Sequence, residues 1–447
     1  MRPFGKRRDL MHHRHYFEGK IQPIEDVTLS QDSIALSLLE GDLDQIKGIE
    51  ILRKSPFQVT FKCNRCLTQQ PHHYATHYCL RCKCYCTYCR NCIRMGKITS
   101  CTQLFIWKGP RSDVQPEIVM TWKGTLSNLQ QQALEEWRES IATGKSHMIH
   151  AVCGAGKTEI MFGAIELMLS RGERVAIACP RTDVILELAP RLQQAFESMR
   201  IDVLYGGSEK PIGLADLTLA TTHQLYRFYR AFDHVIIDEA DAFPYSADAT
   251  LVTAVEKSLL PGGSIHYVSA TPSKILHTDR KSLVAKRFHG HPLPVPRFQK
   301  ALSYQKHLTR QKVPPALDKW IAFQIEMDRP FLIFFPTVRT LEDFPGNMER
   351  VHAEHPFRKE LVQQLRDGKI KGLCTTTILE RGITISNLQI AVLGAEQPIF
   401  NEQALIQIAG RAGRSAEFPT GDVVFFHNGV TEDMRRAKSA IERLNLQ

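Results

Sequence analysis

The 447-residue chain carries 57 lysines and arginines against 47 acidic residues, a formal net charge of +10, with a pI near 9.0. Its 43% hydrophobic and 23% charged residues describe a soluble globular protein with more than one buried core and exclude disordered and fibrous classes. The basic excess permits a polyanionic partner without naming one. No apolar run approaches the ~20 residues of a membrane-spanning helix, and the N-terminal MRPFGKRRDLMHHRHYF has no apolar stretch of a secretory signal behind it, so a cytoplasmic chain is expected.

Residues 1–55 are polar and weakly patterned, with a short helix expected at Ser33–Glu40, and read as a partner-binding N-terminal region. Residues 56–110 hold nine of the 12 cysteines, eight of them between Cys63 and Cys92. Without a secretory signal, such a cluster reads as metal ligands rather than disulfides. Cys63/Cys66, Cys79/Cys82 and Cys89/Cys92 are three C-x2-C knuckles, with Cys84 and Cys86 between them. Two knuckles complete one tetrahedral zinc site. Spacing leaves the partner of Cys63/Cys66 open between Cys79/Cys82 and Cys89/Cys92, and eight thiols allow two metals.

Residues 111–290 alternate apolar strands (147–152, 175–179, 217–221, 234–237, 265–269) with helical stretches around Glu135–Ile141 and Glu159–Leu169. Such alternation predicts a parallel sheet covered by helices. The proline-rich stretch 291–319 reads as a linker. Residues 320–447 repeat the pattern, with strands at 331–335, 373–376, 390–394 and 423–427.

The first block contains Ala151-Val152-Cys153-Gly154-Ala155-Gly156-Lys157-Thr158 between a strand and a helix, the context of a phosphate-binding loop. Backbone N–H groups of Gly154, Ala155 and Gly156 would close around phosphate oxygens at a helix N-terminus. Lys157 would reach the β- and γ-phosphates and Thr158 would hold Mg2+. Downstream, an apolar strand ends in Asp238-Glu239-Ala240-Asp241. Asp238 would hold the Mg2+ of bound ATP and Glu239 would activate the attacking water. Gln130 is the candidate reader of adenine through its amide. Ser269-Ala270-Thr271 follows a strand in the order expected of a coupling segment. Near the C-terminus, Arg411 and Arg414 are three residues apart, a spacing that puts both on one helical face, where one can serve as an arginine finger.

In this order and spacing the motifs resemble superfamily 2 helicases over residues 120–430. The resemblance implies an α/β fold with two tandem RecA-like lobes, parallel sheets with helices on both faces, behind a small zinc-binding module. It also implies nucleic-acid contacts at Arg181, Thr182, Thr222, His223, Thr375, Thr376 and Arg381. The acidic box spells DEAD, but Cys179-Pro180-Arg181-Thr182-Asp183 and the opening Gln407 depart from the RNA-helicase pattern, so DNA is the expected substrate.

The joined pattern is narrower. Cys63-Asn-Arg-Cys66, Tyr88-Cys89-Arg-Asn-Cys92, the Ala151–Glu159 loop, Pro180–Val184 with Glu187–Arg191, Asp241–Asp248 and Thr375–Gly382 together resemble the ComFA family of competence proteins from Gram-positive bacteria. That resemblance implies a DNA-stimulated ATPase translocating on single strands to import transforming DNA. It implies zinc on Cys63, Cys66, Cys89 and Cys92. The partners it implies are single-stranded DNA, the membrane uptake channel protein, the phosphoribosyltransferase-like competence protein ComFC and further copies of the chain, with docking at the inner face of the membrane. Two other readings are a duplex-unwinding helicase of replication restart and a nucleotide-gated DNA clamp.

Overall fold

The structure, a computed structural model, describes residues 14, 16–55, 58–112, 120–209, 211–272, 276–380 and 385–447. Its strands are numbered in chain order. The N-terminal part holds β1 (Ile21–Pro23), β2 (Leu43–Lys47), β3 (Ile49–Ser55), β4 (Gln58–Cys63), β5 (Tyr74–Cys79), β6 (Cys84–Cys89), β7 (Ile98–Thr99) and β8 (Gln103–Trp107). β8 runs between β1 and β2 in a small antiparallel sheet. Phe17, Ile34, Leu43, Phe105 and Trp107 form the core beneath it. A boundary at residue 55 is therefore not observed. β3 pairs with β4 across it, and residues before and after the cysteines share one sheet. The weak patterning of this region reflects short strands that are completed only by a partner about 60–85 residues away.

The next block folds as a seven-stranded, all-parallel sheet in the order β11-β12-β10-β13-β14-β9-β15. These strands are β9 (His147–Ala151), β10 (Val175–Cys179), β11 (Ile201–Leu204), β12 (Leu217–Thr221), β13 (Phe232–Asp238), β14 (Leu259–Ser269) and β15 (Arg280–Val284). Central strands are apolar on both faces, as a parallel sheet between two helical layers requires. Ile149, Ile177, Leu219 and Val268 face the helices Asn128–Ala142, Lys157–Ser170 and Thr182–Ala195. Met148, Ala176, Val235 and Tyr267 face the other way, toward the helix Ala249–Ser258 and the cysteine module. That module is tied on by Asn91, which donates to Thr250 Oγ1 (2.9 Å) and Tyr226 Oη (3.2 Å). Half-buried Lys257 adds a bond to the Arg65 carbonyl.

The second block is a six-stranded parallel sheet, β16-β21-β20-β17-β19-β18. Its strands are β16 (Arg297–Lys300), β17 (Phe331–Phe334), β18 (Glu349–Val351), β19 (Gly372–Thr375), β20 (Gln389–Leu393) and β21 (Val423–His427). The stretch 291–319 is thus largely not a linker. β16 adds an edge strand against β21, and Tyr304 and Leu308 are buried in the second core. The prolines that suggested a linker sit before β16 and at Pro314–Pro315, where the next helix starts, a position that tolerates the missing N–H.

Candidate active site

In an open parallel sheet, loops at the carboxyl ends of the strands form the ligand crevice. The phosphate loop leaves β9 here and the acidic box ends β13. Gly154 and Gly156 have φ of +83° and +76°, conformations that strain any residue with a Cβ. A Cβ on Gly156 would also stand 2.2 Å from Gln130 Nε2. Lys157 opens the helix Lys157–Ser170, which puts its ammonium where the helix dipole favours an anion.

Lys157 Nζ lies 2.5 Å from Glu239 Oε1 and 3.9 Å from Asp238 Oδ1. Burial opposes its charge, but the carboxylates of Glu239 and Asp238 outweigh that and raise its pKa. The lysine is thus held charged across the cleft. A triphosphate entering beside it replaces one set of anionic partners by another. The Thr158 hydroxyl accepts from Arg191 (3.0 Å), whose other nitrogen holds Glu159 at 2.6 Å.

Arg411 and Arg414 reach the same cleft from the second lobe. Lys157, Thr158, Asp238, Glu239, Arg411 and Arg414 all line one cavity of about 240 Å3. Arg411 is 3% exposed. Burial, reinforced by Arg414 beside it, pulls its guanidinium down to about 9. It remains cationic at neutral pH, and an anion between it and Lys157 would offset the burial cost. The residues thus fit a nucleotide with its magnesium ion: a glycine cradle, a cation, two carboxylates and a hydroxyl, with guanidiniums opposite.

Gln130 departs from the expectation. It is buried, donates to the Ala155 carbonyl (2.8 Å), and accepts from the Ser127 N–H (2.7 Å) in a capping box. One end of its amide braces the phosphate loop and the other caps its own helix, so reading adenine would sacrifice both bonds. Thr222 and Thr375 are fully buried, which leaves their side chains no reach to a strand passing outside. Thr182 is exposed, and His223 and Thr376 are half-buried. Arg181 donates to the Ile378 carbonyl of the second lobe at 2.7 Å. Arg381 lies outside the described residues.

The motif residues join one another across the lobes, and Arg287 and Phe288, which carry no motif signal, join them. Asp241 accepts from Ser269 and from Thr271 (2.7 Å), Thr271 Oγ1 accepts from Gln407 (3.0 Å), and Gln407 Oε1 lies 3.3 Å from Cys153 Sγ. A continuous polar path therefore joins the acidic box, the Ser269–Thr271 segment, the second lobe and the phosphate loop. Arg287, 2% exposed, donates to the carbonyls of Ala412 (2.7 Å) and Gly413, in the turn that carries both cleft arginines. The Phe288 N–H next to it bonds the Gly154 carbonyl at 3.1 Å.

In the N-terminal module, the sulfurs of Cys63, Cys66, Cys89 and Cys92 all lie within 4.8 Å of one another, and all four residues are buried. Cys63–Cys92 and Cys66–Cys89 are 3.8 and 3.6 Å apart. Zinc–sulfur bonds of ~2.3 Å make the edge of a tetrahedron about 3.8 Å, so the four thiols fit zinc. Arg65 donates to Cys92 Sγ at 3.4 Å, which favours a thiolate there. Cys79 and Cys82, the alternative pair for this site, belong elsewhere.

Two parallel-sheet lobes closing on a phosphate loop, an acidic box and an arginine pair define a superfamily 2 helicase-like, ATP-hydrolysing enzyme. Three families match in chain order: the competence protein ComFA N-terminal domain at residues 7–106, the type III restriction enzyme res subunit at 123–274 and the helicase conserved C-terminal domain at 313–416. The competence protein ComFA of Bacillus subtilis is 43% identical over 436 residues, 94% of this chain and 92% of that protein. Its namesake in Streptococcus pneumoniae is 36% identical over 373 residues, 80% and 85% of the two. The chain belongs to the competence protein ComFA family. In fold it is similar to the Mycobacterium smegmatis helicase Lhr bound to ssDNA and AMP-PNP, with TM-score 0.53 and 17% identity over 72% of this chain and 50% of that one. S. cerevisiae Dbp5 bound to RNA and ADP BeF3 gives TM-score 0.51 and 14% identity over 71% and 91%. Among the described residues no helix is long and apolar enough to cross a membrane.

Proposed function

We propose that this chain is a DNA-stimulated ATPase that translocates on single-stranded DNA and helps draw transforming DNA into the cell during natural competence. The observation that supports it most is the shared cleft, in which Lys157 from one lobe and Arg411 and Arg414 from the other face the same 240 Å3 space. In this reading ATP binds between the lobes and draws them together. Lys157 leaves Glu239 to hold the phosphates, which frees Glu239 to orient and deprotonate the attacking water. Mg2+, held through Thr158 and Asp238, supplies charge neutralisation on the phosphates. Arg411 and Arg414 stabilise charge as it develops. The path Asp241–Thr271–Gln407 links the state of the nucleotide to lobe closure, and Arg181, Thr182 and His223, with Thr376 on the other lobe, grip the DNA backbone in turn. Residues 1–110 serve as one N-terminal zinc-binding region, 111–290 as the ATP-binding lobe and 320–447 as the helicase C-terminal lobe, with β16 and Tyr304 from 291–319 built into that second lobe. The proposal includes the uptake channel protein and ComFC as partners and a place at the inner face of the membrane; the competence family name supports the pathway.

The test is ATP turnover with single-stranded DNA, duplex DNA and RNA, beside translocation and strand-displacement assays. Single-stranded DNA is expected to stimulate most, with translocation and little unwinding. Lys157→Ala is expected to abolish stimulated turnover while the thermal midpoint holds. Full turnover in that variant, or no preference for DNA, sinks the reading.

A further inference from the structure

We infer that the N-terminal module holds a second tetrathiolate zinc site, built from Cys79, Cys82, Cys86 and Cys101 and separate from the first. Their sulfurs all lie within 4.8 Å of one another. Cys79 and Cys101 are 3.7 Å apart and Cys82 and Cys86 are 3.2 Å apart. The first separation matches the edge of a zinc tetrahedron and the second requires an opening of about 0.6 Å, which a side-chain rotation supplies. All four cysteines are free thiols.

The backbone carries the inference further. In the first site, the residue after the knuckle, Leu67, has φ of +59° and its N–H bonds the Cys63 carbonyl at 2.7 Å. In the second, Lys83 has φ of +54° and its N–H bonds the Cys79 carbonyl at 2.8 Å. Neither residue is glycine, so each adopts a left-handed conformation that its side chain disfavours. The arginine inside each knuckle repeats the correspondence. Arg65 donates to the Cys92 carbonyl at 3.0 Å, and Arg81 donates to the Cys101 carbonyl at 2.6 Å. The turn Cys79–Lys83 is therefore a copy of the turn Cys63–Leu67, aimed at its own pair of thiols.

The surroundings call for such a staple. Tyr78, Leu80 and Tyr85, at the far end of the β5–β6 hairpin, are 54%, 86% and 77% exposed; Tyr78 and Tyr85 meet edge to face, so little apolar burial holds that end in place. A metal joining it to Cys101, in the turn between β7 and β8, supplies the missing order. On binding, each thiol releases its proton and shares a sulfur lone pair with the ion; no oxidation is involved. Cys84 is exposed, with its sulfur 3.2 Å from Cys82, and stays outside the set.

The full chain, purified under reducing conditions, is measured for zinc by elemental and native mass spectrometry. Two ions per chain are expected. Cys101→Ser and Cys86→Ser each reduce the count to one, Cys84→Ser leaves two, and Cys63→Ser lowers it through the other site. Should Cys101→Ser fail to fold, cobalt titration of the parent chain reads the same question, with thiolate charge-transfer absorption rising to two equivalents. One zinc per chain, saturation at one cobalt, an undiminished count in Cys101→Ser, a count that depends on Cys84 in place of Cys86, or a disulfide within the cluster in the reduced protein would each overturn the site.

Discussion

Gly410 ends the helix Glu402–Ala409 directly before the two cleft arginines and packs against the phosphate loop of the other lobe. A methyl added there would lie 2.4 Å from Cys153 Cβ and 2.7 Å from its sulfur. Ordinary carbon–carbon contact is about 3.5–4.0 Å, so Gly410→Ala forces the lobes apart locally by about 1 Å. Overpacking of this kind costs about 1–3 kcal/mol, which at tenfold per 1.36 kcal/mol is a loss of about 5- to 150-fold in turnover. A displacement of about 1 Å of the reacting groups allows the upper end of that range. DNA-stimulated ATP turnover is measured beside binding of a fluorescent nucleotide, which the first lobe alone largely supports. Turnover should fall while nucleotide binding changes little. Cys153→Gly removes both colliding atoms, so Gly410→Ala/Cys153→Gly should recover most of the rate that the Cys153→Gly parent shows. Parental turnover in Gly410→Ala, or no recovery in the double variant, would refute the claim that this close approach sets the working geometry of Arg411 and Arg414.

Arg287→Met keeps the stem and removes the bonds to the Ala412 and Gly413 carbonyls; Gly413 keeps His289 Nε2 at 3.2 Å, and the loss at Ala412 costs about 1–3 kcal/mol. Amide exchange across residues 410–414 should accelerate and the thermal midpoint should fall; unchanged exchange there argues against the latch. His147, 1% exposed, has its imidazole pushed down to about 4 by burial, against about 6.5 in the unfolded chain. Between those values the unfolded state binds more protons. Stability from this group is full above pH 6.5 and declines toward pH 4, by about 3 kcal/mol in all. His147→Gln should flatten the fall in thermal midpoint between pH 7 and 5, and an unaltered slope would count against it.

Local chemistry set the outline of the two lobes. Val175–Cys179 is apolar on both faces, and no half-buried strand carries such a run, so its place inside a parallel sheet was legible. The phosphate loop and the acidic box were legible too, because each is a contiguous stretch whose residue types serve one local geometry. β16 escaped notice because Arg297–Lys300 is polar and becomes a strand only beside β21, about 125 residues later. Arg287 escaped for the same reason, since its partners belong to the other lobe, and Gly410, legible beside the arginines, gave no sign in sequence that it packs on Cys153. Gln130 was legible as a polar residue at a helix start, but whether its amide met adenine or the Ala155 carbonyl depended on where the loop came to rest. The cysteine spacing announced zinc and left the pairing open. Only the fold of the β5–β6 hairpin separated Cys63, Cys66, Cys89 and Cys92 from Cys79, Cys82, Cys86 and Cys101. A pattern of neighbours along the chain determines elements and motifs; which distant side chains meet is decided when sheets and lobes close, because burial then selects among partners that spacing alone treats as equal.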